Sequence, residues 1–329
     1  MSSKAKKRFY QAFGLFLSGI FLWICYRKIQ GQDNGQPMLP LPKHTSYLML
    51  AVITHIGVMC VRTLIWQYLL TPIRKLSFRN LFSIMYIGYF ANHVLPLKAG
   101  EFFRASFPSK KWKLPYTQVL TTVGLERYFE GTSLLIVFFT LTFLLEIPLW
   151  MKSFAYALVG ILIGILVFLQ ILWKRQPNLE KWKDSNPWLY RLIKELFHIH
   201  ESSTRLKSIP SFLILIVLGL IAWNGQSILL KCIEASYGIS LSWPQTLFVI
   251  VCINFAAAIP SAPGNIGTLQ AASIFAYSSS LIGLSQANIA FGIGIFYFLV
   301  QALPIFIIGT FNYYRWDLSI EEIEAQELA

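Results

Sequence analysis

NHVLPLKAGEFFR, at Asn92–Arg104, and NFAAAIPSAPGNIGTLQ, at Asn254–Gln270, are the two stretches that decide the fold of this chain. Each of them breaks a segment that is otherwise apolar enough to lie in lipid, and they fall in opposite halves of the sequence. Backbone N–H and C=O groups without helical partners are tolerated at membrane depth only where protein or a water-filled cavity covers them. Paired breaks in two halves of one chain therefore indicate a binding site of the kind that transporters build.

The composition independently indicates an integral membrane protein. Of the 329 residues, 55% are hydrophobic and only 13% are charged, whereas soluble domains carry about 25% charged residues. The net charge of +13 would suit a nucleic-acid binder, but the basic residues lie in the gaps between apolar segments. We therefore expect no nucleic-acid partner. The basic start at 4–8 precedes an apolar run without a small-residue cleavage site, which indicates a retained first helix.

The apolar segments predict an all-α polytopic fold, a single membrane domain over residues 1–329. A complete crossing needs about 20 apolar residues, and six segments meet that need. Two pairs of shorter segments flank the two breaks, and each pair is typical of a re-entrant helical hairpin. The predicted helices are 9–27, 46–70, 80–95, 99–108, 116–145, 152–173, 210–232, 244–259, 265–283 and 286–312.

The Lys and Arg residues in the connections predict the orientation of the chain. Most of them fall on one side only if the first hairpin returns to the cytoplasm and the second returns to the outside. This arrangement makes the halves inverted repeats and places both termini in the cytoplasm, so we expect a multi-pass protein of the cytoplasmic membrane. The connection 174–208 is predicted to be a cytoplasmic amphipathic helix at the membrane interface, with a solvated linker helix as the alternative, and 313–329 is a short acidic tail.

Charged and helix-breaking residues inside the predicted spans are the candidate substrate-binding residues. An isolated Arg at the bilayer centre costs at least about 2.5–3.5 kcal/mol, so such residues should pair and face the interior. Glu126 and Arg127 lie about 15 Å into their helix at about 1.5 Å per residue, and Glu130 is one turn further on. The candidates are Arg62, Asn92, Lys98, Glu101, Arg104, Glu126, Arg127, Glu130, Asn254, Pro260, Pro263, Gly264 and Gly267.

Structural roles compete with substrate binding at several of these positions. The charges on the predicted helix 116–145 would also serve as a buried ion pair that fixes the helix register. Glu101 is suited to cap the N-terminus of its short helix, and Lys98 and Arg104 are suited to extend towards lipid head groups at the cytoplasmic edge. Two prolines and two glycines within 260–267 break a helix more thoroughly than a kink requires.

This residue pattern resembles the membrane domain of the lysylphosphatidylglycerol synthase/flippase family, including its free-standing members. The resemblance covers residues 9–312 and is carried by Asn92, Pro96, Gly100-Glu101, Arg104, Glu126-Arg127, Pro260, Pro263-Gly264 and Gly267. It implies a domain that moves an aminoacylated phospholipid between leaflets. In fused members a separate soluble domain attaches the amino acid from tRNA. The sequence ends shortly after the last predicted span, so we expect no lysyltransferase activity.

The sequence therefore predicts a flippase for a phospholipid or a related lipid with an anionic head group. Arginines would hold the phosphate, glutamates would balance them, and the broken helix ends would donate backbone N–H groups. The sequence has no nucleotide motif and no metal-binding carboxylate cluster, so we expect no cofactor and no enzymatic activity. Two alternatives stay open: a lipid or polyprenyl-phosphate transferase, and a membrane subunit for a separate lipid-modifying enzyme. A homodimer is open as well.

Overall fold

The computed structural model describes residues 18–30, 37–94, 99–175, 208–257 and 263–316. Within these ranges all regular structure is helical. A 3-10 turn at Pro263–Asn265 precedes α9. The α-helices are α1 (18–30), α2 (Ser46–Leu70), α3 (Phe78–Val94), α4 (Ala99–Trp112), α5 (Tyr116–Leu141), α6 (Leu149–Arg175), α7 (Ile209–Ser236), α8 (Trp243–Ala256), α9 (Thr268–Tyr277) and α10 (Ala287–Arg315).

Helix length and composition support a membrane-spanning protein. Among the described helices, three are long and apolar enough to cross a bilayer, namely α2, α7 and α10. Shorter apolar stretches lie in α6, at Leu149–Ile165, and in α8. Helix α5 has 26 residues, but its middle carries Glu126, Arg127 and Glu130. The prediction of an all-helical polytopic membrane protein is confirmed.

The helices lie where the sequence predicts them, although some ends differ by several residues. Helix α4 continues a turn past Pro108, because the proline removes one hydrogen bond without ending the helix. Helix α9 ends at Tyr277 rather than at 283. A turn at Gly283, with φ of +71°, brings the N–H of Leu284 back to the carbonyl of Tyr277 at 2.9 Å. The predicted connection 174–208 and the acidic tail lie almost wholly outside the described residues.

Hydrogen bonds between connections define one end of the bundle. We call it the opposite end, because it lies opposite the basic end described below. The N–H of Lys43 donates to the carbonyl of Ser236 at 2.7 Å. The side-chain amide of Gln245 donates to the carbonyl of Leu281 at 2.8 Å. The start of α2, the end of α7, the start of α8 and the turn after α9 therefore meet at the same end.

The other end, which we call the basic end, is formed by the connections 71–77 and 113–115 with the start of α7 and the end of α10. The hydroxyl of Tyr68 donates to Ser211 Oγ at 2.8 Å, and Arg74 donates to the carbonyl of Trp112 at 3.0 Å. The described basic residues of this end are Arg74, Lys75, Arg79, Lys110, Lys111, Lys113 and Arg315.

Both breaks produce hairpins, and the hairpins enter the bundle from opposite ends. Helix α3 begins at the basic end, and α4 returns to that end packed against α3. Helix α8 begins at the opposite end, and α9 returns there packed against α8. The prediction of two oppositely oriented re-entrant hairpins is confirmed.

Packing repeats between the two halves of the chain. Helix α4 packs on α5 as α9 packs on α10, and α3 packs on α10 as α8 packs on α5. Helices α2 and α7 pack along each other in the centre and run antiparallel, since Val58 faces Gly225 and Tyr68 reaches Ser211. Helices α2 and α7 begin at opposite ends of the bundle, and so do the hairpins that follow them, so the described halves are inverted repeats.

Candidate functional site

The first hairpin, α2 and α5 bring six charged side chains into one cluster, which we call the charge cluster. Its members are linked by ion pairs within 4 Å, so each charge has at least one opposite charge beside it. Arginines and glutamates are equal in number. The residues are Arg62, Glu101, Arg104, Glu126, Arg127 and Glu130.

The deepest part of the charge cluster is the pair Arg104–Glu126. The side chains are 1% and 0% exposed, and Arg104 Nη2 donates to Glu126 Oε2. The guanidinium of Arg104 lies over the ring of Trp66 at 4.5 Å, and Trp66 Nε1 donates to the hydroxyl of Thr122 at 3.0 Å. This pair is enclosed on every side by protein, so in this conformation Arg104 orders the hairpin rather than contacting a ligand.

The outer edge of the charge cluster is the pair Arg127–Glu101. These side chains are 31% and 28% exposed, and Arg127 Nε lies 3.3 Å from Glu101 Oε1. The contact is electrostatic, because Arg127 Nε has no hydrogen-bond partner. Arg127 also lies 3.4 Å from Glu126 Oε1 and contacts Glu130 Oε2. This edge is where a ligand can reach the charges.

Tyr89 of α3 forms hydrogen bonds with two arginines of the charge cluster. Its hydroxyl oxygen accepts hydrogen bonds from Arg62 Nη1 at 2.9 Å and from Arg127 Nη2 at 3.0 Å. Arg62 Nε lies 3.2 Å from Glu130 Oε1, and its guanidinium lies 5.8 Å from the ring of Trp223. Trp223 Nε1 in turn donates to the carbonyl of Glu130 at 2.9 Å. The aromatic side chains therefore fix the arginines from three helices.

The sequence analysis did not identify Tyr89, Trp66 and Trp223. Helical spacing contained a signal for two of them. Trp66 is one turn after Arg62, and Tyr89 is one turn before Asn92, so both lie on the faces that carry the candidate charges. Trp223 is on α7 and comes close to Arg62 only through the packing of α2 against α7.

The first break is closed by an amide side chain and by close helix packing. Asn92 Oδ1 accepts a hydrogen bond from the N–H of Gly100 at 2.9 Å, which satisfies a backbone donor at the start of α4. A Cβ on Gly100 would lie 1.8 Å from the carbonyl oxygen of Gly88. A Cβ on Gly88 would lie 2.6 Å from Arg104 Cγ. These glycines therefore allow α4 to approach α3 closely enough for Arg104 to reach Glu126.

The second break is built on the same principle. The N–H of Gly267 donates to Gln270 Oε1 at 2.7 Å, and both glycines of the break have positive φ, +74° at Gly264 and +86° at Gly267. A Cβ on Gly264 would lie 3.0 Å from Phe298 and 3.3 Å from His93. The second break therefore lies against the end of α3.

The structure thus places the predicted site residues at different locations. Six of the seven charged candidates form the charge cluster, and Asn92 supports the first break. Gly264 and Gly267 lie at the second break with Pro263, whereas the amide of Asn254 donates to the carbonyl of Ile250 on its own helix at 2.8 Å. Lys98 and Pro260 lie outside the described residues.

The charge cluster can bind a group that carries charge or strong hydrogen-bonding atoms. At its outer edge, Arg127 Nε has no hydrogen-bond partner, and Arg side chains bind phosphate in fork geometry. Among the described residues, no group of three or more His, Cys, Asp and Glu side chains is placed to hold a metal ion. The chemistry of the site is therefore that of arginines, carboxylates and a phenol.

Comparison with known proteins identifies the family. The model of the lysylphosphatidylglycerol synthase TM region matches residues 11–309, a range that includes both hairpins and the whole charge cluster. No curated protein and no solved structure matches the chain. The chain is a multi-pass membrane protein that belongs to the family of the lysylphosphatidylglycerol synthase TM region.

Proposed function

We propose that this chain is a lipid flippase, which moves a phospholipid or a related lipid with an anionic head group across the cytoplasmic membrane. The observation that carries the proposal is the Arg127–Glu101 pair, a partly exposed ion pair at the edge of an otherwise buried charge cluster. Intramembrane charges are costly and usually mark a substrate pathway. Membership of a family named for a lipid-modifying protein supports a lipid as the substrate.

Charge balance suggests how a head group binds. Every arginine of the cluster already has a glutamate beside it, so an incoming phosphate must replace one of these carboxylates. Glu101 is the carboxylate most easily replaced, since its contact with Arg127 Nε lacks a hydrogen bond. The phosphate would bind Arg127, and Tyr89 would keep that guanidinium in place. The displaced carboxylate of Glu101 could then accept an amino or hydroxyl group of the head group.

The two hairpins supply a route across the bilayer for the head group. They enter from opposite ends, and the second break contacts the end of α3 through His93. In the proposed route the head group moves between the hairpins while the acyl chains stay in lipid. The basic end would face the cytoplasm, with both termini on that side. The protein would act as a carrier without a cofactor, and a homodimer or an associated lipid-modifying enzyme is compatible with this role.

Lipid exchange in liposomes tests the proposal. Purified protein is reconstituted with a trace of phosphatidylglycerol, or of an aminoacylated derivative, labelled on its head group, and the label accessible from outside is followed without ATP. Exchange between leaflets should be faster than in protein-free liposomes. In the double variant Glu101→Gln/Arg127→Gln, the increase in exchange rate over protein-free liposomes should be about ten- to a hundredfold smaller. The reason is that a charge-assisted hydrogen bond contributes about 1.5–3 kcal/mol. Both substitutions keep polar groups of similar length, so the fold should survive.

The control variant is Glu146→Gln, which makes the same chemical change on an exposed turn at the opposite end. It should exchange lipid like the wild type. Equal exchange with and without protein, for anionic, zwitterionic and polyprenyl-phosphate lipids, would refute the flippase proposal. That result would favour a transferase or a membrane subunit of another enzyme.

A further inference from the structure

A second buried acid, Glu234, lies away from the charge cluster in the last turns of α7. Glu234 is 1% exposed, and no ion pair reaches it from the part of the chain that the structure describes. Its Oε1 accepts a hydrogen bond from the hydroxyl of Tyr277 at 2.8 Å, and its Oε2 accepts one from the hydroxyl of Thr246 at 2.8 Å. The acid therefore joins α7 to both arms of the second hairpin.

Glu234 is close to the opposite end of the bundle. The N–H of Ile239, in the connection after α7, donates to the backbone carbonyl of Glu234 at 2.9 Å. Lys231 on the same helix is the nearest basic residue in sequence, but its Nζ donates to the carbonyl of Leu241 at 2.6 Å and lies 5.9 Å from the ring of Trp243. Lys231 therefore forms no ion pair with Glu234, although its charge acts on the Glu234 carboxyl group from a distance.

The side chains that hydrogen-bond to Glu234 offer hydroxyl groups rather than cations. Helix α8 provides the hydroxyl of Thr246, and α9 provides the phenol of Tyr277. No other titratable side chain hydrogen-bonds to Glu234 in the described ranges. The other charged and titratable residues that are buried near Glu234, act on it or belong to the charge cluster are Lys231, Cys232 and Tyr237 around the end of α7, His55 and Arg62 on α2, Glu126, Arg127 and Glu130 on α5, Cys252 on α8, Tyr277 on α9 and Tyr297 on α10.

This environment suits a carboxyl group that exchanges a proton. A buried carboxylate without a cation is costly, whereas the neutral acid is not. A hydroxyl group can either donate or accept, so Tyr277 and Thr246 can donate to the carboxylate or accept from the carboxylic acid. Both protonation states therefore keep their hydrogen bonds, which a lysine or arginine partner would not allow.

Polar side chains lie in the bundle interior between Glu234 and the charge cluster. Gln226 lies two turns before Glu234 on the same face of α7, about 12 Å along the axis. The hydroxyl of Tyr297 donates to Gln226 Oε1 at 3.3 Å. Tyr297 lies close enough to both Tyr277 and Arg62 to interact with them. Buried polar groups therefore lie between Glu234 and the charge cluster.

We propose that Glu234 is a proton-binding site, filled from the opposite end, and that its proton is the coupling ion of lipid movement. The inference rests on the proposed function. A phosphate that enters the balanced charge cluster adds one negative charge to the membrane interior. A proton from water that binds the Glu234 carboxylate, giving the neutral carboxylic acid, removes one negative charge and restores the balance. Release of the head group then favours return of the proton.

Infrared spectroscopy tests the proton site without any transport assay. Titration of the reconstituted protein should show a carboxylic-acid C=O band that appears as the pH falls. Other carboxyl groups add their own bands, so the band of Glu234 is obtained as the difference between proteins: it should be missing in Glu234→Gln and retained in Glu146→Gln. Gln can accept from Tyr277 through its carbonyl oxygen, so the second hairpin should stay packed. A titrating band that is the same in wild type and Glu234→Gln, or no such band in either, would overturn the proton site.

Lipid exchange under a pH gradient tests the coupling. In wild-type liposomes, acidifying the side of the opposite end should raise unidirectional exchange, by at most about tenfold per pH unit because a single proton is bound. The exchange rate of Glu234→Gln should not depend on the pH gradient, whereas that of Glu234→Asp should still depend on it. Wild-type exchange that ignores the gradient would overturn the coupling and leave the flippase proposal standing. No exchange in any liposome would refute the flippase proposal and this coupling with it, and the infrared result would still decide the proton site.

Discussion

At the scale of single residues, the structure gives the arginines of the charge cluster different tasks. The sequence analysis expects both Arg104 and Arg127 to hold a phosphate. Arg104 is 1% exposed and stacked over Trp66, whereas Arg127 is 31% exposed. Sequence spacing identified the charges but could not give their exposure, because exposure depends on how closely α4 approaches α3. The buried pair Arg104–Glu126 should therefore contribute most to the free energy of unfolding, and the outer pair Arg127–Glu101 should contribute most to lipid binding.

A double-mutant cycle on the buried pair tests this division. Glu126→Gln alone should lower the free energy of unfolding by about 3–5 kcal/mol, since it leaves Arg104 buried without a countercharge. Arg104→Gln/Glu126→Gln should lose clearly less than the sum of the two single variants. The free energies are measured by chemical unfolding in detergent micelles. Additive losses would contradict this division, because they would show that the two charges do not depend on each other. As a control, the exposed Glu146→Gln should change the free energy of unfolding by less than about 0.5 kcal/mol.

At the scale of elements, the first hairpin depends on a glycine contact that the sequence shows only in part. Gly100 was assigned to the break, but Gly88 lies in the middle of α3, where a glycine usually weakens a helix by roughly 0.5–1 kcal/mol. The structure explains Gly88, because Arg104 Cγ occupies the place of its missing side chain. Asn92 and Gln270 have matching roles, each accepting from a backbone N–H at a break. Capping by an amide across eight residues depends on the hairpin geometry and is not visible in local sequence.

Substitution of Gly100 by Ala should separate the two helices of the first hairpin. The new Cβ would lie 1.8 Å from the carbonyl oxygen of Gly88, so the backbone must move. We expect a loss of about 1–3 kcal/mol in unfolding free energy and slower lipid exchange. The matched control is Gly124→Ala on α5, where a Cβ meets nothing within 4 Å, and which should be neutral or slightly stabilising. A Gly100→Ala protein as stable and active as Gly124→Ala would contradict this account of the hairpin.

At the scale of the whole molecule, apolar segments and paired breaks were sufficient to predict the all-helical fold with two hairpins, and the distribution of Lys and Arg predicted that the hairpins are opposed. The packing of α2 along α7 was not predictable, because it is set by small contacts such as Val58 against Gly225. That packing brings Trp223 beside Arg62 and Tyr297 close to the charge cluster. The inverted repeats are therefore unequal: the first half supplies the charges, and the second half supplies mostly neutral polar groups such as Gln226 and Tyr297.

Accessibility of single cysteines tests the orientation of the bundle. After replacement of the four native cysteines, cysteines at Lys75 and Lys110 mark the basic end, and cysteines at Lys43 and Ser280 mark the opposite end. All four positions are exposed in the structure. An impermeant thiol reagent added outside intact cells should label positions 43 and 280 and leave 75 and 110 unlabelled. Labelling of 110 together with 280 from outside would contradict the opposed hairpins, and the reverse pattern would contradict only the orientation.

The central claim is that a lipid head group reaches the charge cluster at Arg127 and Glu101, and photochemical cross-linking tests it most directly. A phospholipid with a photoreactive group beside its phosphate is illuminated in liposomes with the protein, and the adducts are mapped by mass spectrometry. Adducts are predicted on α3 near Tyr89, on α4 near Glu101 and on α5 near Arg127, and excess unlabelled lipid of the same head group should compete for them. The double variant Glu101→Gln/Arg127→Gln should lose these adducts. Adducts confined to lipid-facing residues such as Phe143 and Ile161, unchanged in the variant and insensitive to competition, would contradict the account.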